Sequence, residues 1–127
     1  MVQTLKQGGE KLEEEIQKLA EEIRSTQKIL TALGDEMRQH LILVMMQGED
    51  CSGMRVIDIA ARTRLSRPAV SHHLQILKDA GIVKMRREGT KNYYYFDADM
   101  QAFDRLIGML NHAKEIMLQL PDRSGEE

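Results

Sequence analysis

Leu65-Ser66-Arg67-Pro68-Ala69-Val70-Ser71-His72-His73-Leu74-Gln75-Ile76-Leu77-Lys78-Asp79-Ala80-Gly81 reads as a short helix with both ends marked. Ser66 is a good N-cap, because its hydroxyl can accept from a free backbone N–H of the first turn. Pro68 sits just inside the start, where no intrahelical donor is required. Gly81 is placed to take the left-handed conformation that ends a helix. Val70, Leu74 and Leu77 are spaced four and three apart and share one buried face. Pro68, Ser71, His72, Gln75 and Asp79 then point largely the other way, a face of small and hydrogen-bonding side chains.

Upstream, Arg55–Thr63 reads as another short helix, with Val56, Ile59 and Ala60 inward. Arg64–Leu65 turns directly into the Ser66 cap, and two short helices joined so closely form a helix-turn-helix. Downstream the period changes. Ile82–Arg87 and Asn92–Phe96 are β-prone and are separated by Glu88–Gly89–Thr90–Lys91. Gly89 supplies the positive φ that such a tip needs. The hairpin carries Arg86, Arg87 and Lys91 near its tip, and Tyr93, Tyr94 and Tyr95 suit a half-buried sheet.

Two flanking segments complete the chain. Leu12, Ile16, Leu19, Ile23, Leu30 and Leu33 alternate four and three apart, with Thr26 at the one polar position. This heptad-like seam predicts a long helix over 10–33 that packs on another helix, in a partner chain or in its own domain. Gly34–Asp35 ends it, and Asp35 caps a helix over Glu36–Gln47 with Met37, Leu41, Val44 and Met45 inward. Gln47–Gly53 is a loop by composition. Asp97 or Asp99 caps a last helix over 99–120, where Leu106, Leu110, Met117 and Leu120 form a second seam. Residues 1–9 are expected to be a flexible start and 121–127 a polar, flexible tail. The fold class is therefore mainly α with a small β-hairpin (α+β), in the order α-α-α-α-β-β-α. It is a winged helix-turn-helix in one domain over 10–120, with its core at 55–97.

Composition agrees and narrows the function. The net charge of −2 over 127 residues hides an asymmetry: 55–95 holds nine Lys/Arg against three acids, which makes it +6 and the remainder −8. A basic middle of this kind is the electrostatic footprint of phosphate binding. Ser71, His72 and Gln75 are the side chains to present to base edges in a major groove. Arg62, Arg64, Ser66, Arg67 and Lys78, around the turn and along the helix, can reach phosphates. Arg86, Arg87 and Lys91 can reach the neighbouring backbone or minor groove. A winged helix that only binds protein is the competing class, but it has no need for these hairpin charges beside Arg62–Arg67. An enzyme is not expected: there is no nucleophile–base pair, phosphate-cradling glycine loop or paired carboxylates. The longest apolar run, Leu41–Met46, is too short to span a membrane, and no leader pattern opens the chain, so no membrane association and a cytoplasmic location are expected. The single Cys51 allows no intrachain disulfide and no thiolate-only metal site within one chain.

Several stretches together resemble the ArsR/SmtB-like family of bacterial winged-helix repressors. They are Ala32–Asp35, Val56–Ala60, Leu65–Leu74 with Leu77–Val83, and Arg86–Lys91, and the likeness runs over roughly 30–120. Ser-x-Pro-x-Val-Ser-His-His-Leu is its most specific part. The resemblance implies a homodimer joined through the first and last helices. It also implies binding to an imperfect palindrome of double-stranded DNA, as a repressor that leaves when an effector binds. Two recognition helices would then enter successive major grooves about 34 Å apart. No cofactor is expected. Many relatives carry a cysteine pair before the helix-turn-helix; here Arg55 and Ile57 stand at those positions, and Cys51 just upstream reads either as a lone redox-sensitive thiol or, more plainly, as a bystander. A second site of the family lies on the last helix. Asp99, Gln101, His112 and Glu115 keep its spacing, but Gln101 replaces a His and is a poor Zn²⁺ ligand, so no metal is expected there. Asp99 as a cap and His112 with Glu115 as an exposed pair is the plainer reading. The sequence does not name the effector.

Overall fold

The computed structural model describes residues 2–48, 53–97, 100–122 and 124–125. In chain order the elements are α1 (Val2–Ser25), α2 (Gln27–Leu33), α3 (Glu36–Met46), α4 (Val56–Thr63), α5 (Arg67–Asp79), β1 (Val83–Glu88), β2 (Lys91–Phe96) and α6 (Gln101–Gln119). They divide into two compact units, Met1–Thr26 with Arg105–Glu127, and Gln27–Asp104.

In the first unit, α1 begins at Val2, where the sequence predicts a frayed start through Gly9. The predicted helix over 10–33 is not continuous: it breaks at Thr26. The Thr26 hydroxyl donates to the carbonyls of Glu22 at 2.9 Å and Ile23 at 3.1 Å. Back-bonding of this kind bends a helix, and Thr26 is buried. On α6, Leu106, Met109 and Ile116 are buried. Leu110, Met117 and Leu120, predicted as seam residues, are exposed, as are Ile107 and Leu118.

The second unit holds the core. Leu41, Ile59, Val70, Leu74, Leu77 and Ile82 are each fully buried. Removing side chains of this size from water stabilises a fold by about 1.5–3 kcal/mol each. On α2 the buried residues are Ile29 and Ala32, while Leu30 and Leu33 are only half-buried. The buried stripe of α2 is thus Ile29 and Ala32, one position before the predicted Leu30 and Leu33. On α3, Arg38 and Ile42 are buried with Leu41, Val44 and Met45, and Met37 is exposed instead. On α4, Thr63 joins Ile59 inside, and Val56 and Ala60 are half-buried.

The end of α2 is closed by side chains from the next helix. Gly34 N–H donates to the Leu30 carbonyl. Arg38 donates through Nη2 to the Thr31 carbonyl at 3.0 Å and through Nε to that of Ala32 at 2.9 Å. Gln39 Nε2 donates to the Leu33 carbonyl at 2.7 Å. The final carbonyls of a helix have no intrahelical donor, and here each finds one. Asp35 caps α3 as predicted, accepting from the Arg38 N–H at 3.0 Å. That backbone bond holds the Asp35 carboxyl below its usual range.

β1 and β2 pair antiparallel from Val83↔Phe96 to Glu88↔Lys91. Gly89, at φ 62, takes the first place of the two-residue turn, as a type II′ hairpin demands. Met54 adds a bridge to Tyr94, with bonds of 2.9 and 2.8 Å in the two directions. Gly53 makes this approach possible: it sits at φ +113, and a Cβ there would lie 2.8 Å from the Tyr94 carbonyl oxygen.

Candidate nucleic-acid interface

The helix-turn-helix consists of α4, a three-residue connection (Arg64, Leu65 and Ser66) and α5. The Thr63 hydroxyl donates to the Ile59 carbonyl at 2.7 Å and accepts from the Leu65 N–H at 3.4 Å. Arg64 closes α4 in the left-handed region, at φ 61 and ψ 21. A side chain with a Cβ holds that conformation at a cost of about 1–2 kcal/mol. The turn also sends the Arg64 side chain to the exposed surface.

Both ends of α5 carry the predicted caps. Ser66 Oγ accepts from the Ala69 N–H at 3.2 Å. At the other end, Gly81 is at φ 78. Its N–H donates to the Lys78 carbonyl, and the Ile82 N–H donates to that of Leu77. These two bonds form a Schellman motif. Val70, Leu74 and Leu77 are fully buried. Ser71, His72, Gln75 and Lys78 are exposed, as are Arg62, Arg64, Ser66 and Arg67 around the turn. The amphipathic split read from the spacing is therefore present. Gln75 is not idle: its Nε2 donates to Asp79 Oδ1 at 2.9 Å.

On the hairpin the two adjacent arginines diverge, because neighbouring residues of a strand point to opposite faces. The Arg86 guanidinium lies over the Tyr93 ring at 5.3 Å and the Tyr95 ring at 5.8 Å. Its Nε donates to Glu88 at 2.9 Å. Arg87 is exposed, and its Nε donates to the Gly89 carbonyl at 3.0 Å. Lys91 is exposed opposite Glu88. Lys84 pairs with Asp97 at 3.2 Å.

Sequence reasoning missed Arg38. It is 8% exposed, and its Nη1 lies 3.3 Å from His73 Nδ1 on α5. A signal was available: Arg38, Leu41, Ile42 and Met45 follow the i, i+3, i+4, i+7 pattern of one buried face. A charge at such a position announces a set of partners.

The candidate metal residues are described only in part. Asp99 and Cys51 lie outside the described residues. In the first unit, His112 is bonded through Nε2 to Glu15 at 2.6 Å and through Nδ1 to Glu22 at 2.5 Å. Both ring nitrogens are thus engaged by carboxylates of α1. Hydrogen bonds donated to the Glu15 and then the Glu22 carboxylate raise the His112 pKa. Glu115 and Gln101 are exposed. Among the described residues, no cluster of three or more His, Cys, Asp or Glu is arranged to hold a metal ion. Gln101 stands where the family's site has a His, and a carboxamide is a poor ligand for Zn²⁺.

Residues 38–85, from the buried Arg38 to β1, match the model described as bacterial regulatory protein, arsR family. A regulator from Methanocaldococcus jannaschii, described as an uncharacterized HTH-type transcriptional regulator, is 37% identical over 79 residues, or 62% of this chain and 85% of that one. The chain belongs to the ArsR family. The transcriptional repressor SdpR of Bacillus subtilis is a further relative of this ArsR-family chain, 31% identical over 65% of it and 87% of SdpR. Among solved structures, the homodimeric winged helix-turn-helix DNA-binding domain of a Mycobacterium bovis protein superposes with a TM-score of 0.54 at 25% identity, over 84% of this chain and 91% of that one. The ArsR family consists of transcriptional regulators rather than enzymes. No described helix of this member is long and apolar enough to cross a membrane.

Proposed function

We propose that this chain is a homodimeric transcriptional repressor that binds an imperfect palindrome in double-stranded DNA and is released by an effector. The observation that carries the reading is the split of α5. Its apolar face is fully buried while Ser71, His72 and Gln75 stand exposed between two caps. Those three are the base-reading set. Arg62, Arg64, Ser66, Arg67 and Lys78 serve the phosphates, and Arg87 and Lys91 reach the flanking backbone. Arg86, stacked on Tyr93 and Tyr95, stiffens the hairpin as well as adding charge.

Dimerisation is supported by the apolar side chains left open in the first unit: Ile16, Ile107, Leu110, Met117 and Leu118 are 42–78% exposed. A single chain in water gains nothing from exposing them, and a second copy would cover them. A repressor acts where the chromosome is, so the location that follows is the cytoplasm.

The test has two parts. Duplexes recovered by the protein from a random-sequence pool are titrated against scrambled controls at several salt concentrations, and sedimentation gives the mass in solution. Enrichment of one palindromic sequence, with tight and salt-dependent binding by a dimer, is the expected result. No enrichment and equal, weak binding to every duplex overturns the DNA reading. The competing protein-interaction module then replaces it.

A further inference from the structure

The buried guanidinium of Arg38 joins three structural parts of the second unit. Through Nε and Nη2 it holds the last turn of α2, at the Ala32 and Thr31 carbonyls. Through its own backbone it belongs to the first turn of α3, beside the Asp35 cap. Through Nη1 it reaches His73 Nδ1 at 3.3 Å. His73 lies on α5 next to His72 and two residues from the exposed Gln75, yet its own ring is only half-exposed. The buried Val70, Leu74 and Leu77 fix the depth of α5, but apolar packing is weakly directional. A hydrogen bond to a buried guanidinium is directional, and it sets the roll of the helix about its axis.

We propose that Arg38 and His73 are a positioning pair. It fixes the rotation of α5 on the α2–α3 corner, and with it the aim of Ser71, His72 and Gln75 at base edges. Neither residue touches DNA in this account, and the proposal rests on the DNA reading above. A guanidinium only donates, so His73 Nδ1 must accept and the imidazole must be neutral. Protonation turns Nδ1 into a donor and sets two cations against each other. The charged and titratable groups around the ring are Arg38 and Asp35 from α3 and His72 on α5. Burial comes first, and with Arg38 and His72 it outweighs the attraction of Asp35, so the His73 pKa is lowered. The neutral form is thus the one the fold favours.

The test uses the full-length protein and compares its preference for the selected duplex over the scrambled one. Arg38 also caps α2, so the substitutions are made at the half-buried His73. His73→Leu is expected to lower the preference about tenfold, the scale of one lost base contact, with affinity for the scrambled duplex unchanged. His73→Asn places an oxygen acceptor near the position of Nδ1 and should restore most of the preference. Between pH 8 and pH 5 the wild-type preference should fall more steeply than that of His73→Asn, which keeps only the contribution of His72. Thermal melts of each variant report folding independently. Equal loss in the Leu and Asn variants, an unchanged preference in His73→Leu, or equal loss on both duplexes each overturns the positioning role. A wild-type protein with no preference for any duplex overturns the DNA reading, and this pair with it.

Discussion

His112 Nε2 and a carboxylate oxygen of Glu15 lie 2.6 Å apart, tying α6 to α1 across 97 residues of sequence. With Glu22 on the other ring nitrogen, the arrangement suits an imidazolium that donates twice to two carboxylates. Those bonds raise the His112 pKa, and the His112 bond lowers that of Glu15. A raised folded-state pKa stabilises fully below the unfolded value of about 6.5 and is lost as pH rises through the folded value. Thermal melts should therefore show higher stability near pH 6 than near pH 9. His112→Gln should flatten that slope. The groups are partly exposed, so the change is a few degrees at most. An unaltered slope in the variant would assign the pH dependence elsewhere.

Gly53 and Gly89 should respond differently to alanine. At Gly53 a Cβ meets the Tyr94 carbonyl at 2.8 Å on a backbone at φ +113. Gly53→Ala should cost about 2–3 kcal/mol, because strain and loss of the Met54–Tyr94 bridge act together. At Gly89 nothing lies within 4 Å of an added Cβ and φ is +62. Gly89→Ala should cost about 1 kcal/mol. Urea unfolding gives both numbers, and a reversed order would refute the close-approach argument.

Arg64 offers a separation of stability from binding. Replacement by Gly relieves the left-handed conformation at φ 61 and should stabilise the fold by about 1 kcal/mol. The same change removes a cation of the turn. It should weaken binding to every duplex and reduce the salt slope by about 1. A variant that is more stable but binds as before would remove Arg64 from the interface.

Gln75 and Arg87 are expected to fail in different ways. Gln75→Ala should relax base preference at one position of each half-site, at about 1–3 kcal/mol of discrimination. Arg87→Glu should weaken all duplexes alike and flatten the salt dependence. Titrations against single-base variants of the selected duplex distinguish the two. If both substitutions lower affinity uniformly, Gln75 is not a reading residue.

The parts legible in the sequence are those whose partners lie within one turn of helix. Ser66 caps through Ala69, Asp35 through Arg38, and Gly81 ends α5 through bonds to its own last turn. The period of Val70, Leu74 and Leu77 fixes a face by helical geometry alone. The break at Thr26 is not legible, because a Thr at one seam position satisfies the heptad equally in a continuous or an interrupted helix. In the structure the helix breaks there, and the Thr26 hydroxyl bonds to the Glu22 and Ile23 carbonyls.

By itself, then, the sequence determined the order of elements, the caps of α5 and the division of that helix into a buried and an exposed face. All of these follow from local backbone preference and side-chain period. Only the tertiary structure decided that Arg38 lies inside and meets His73, 35 residues away, and that His112 is held between Glu15 and Glu22. It also decided that Met54 closes on Tyr94. The physical reason is the same in each case. Polar partners distant in sequence are chosen by where packing brings the chain, and a one-dimensional pattern carries no information about that distance.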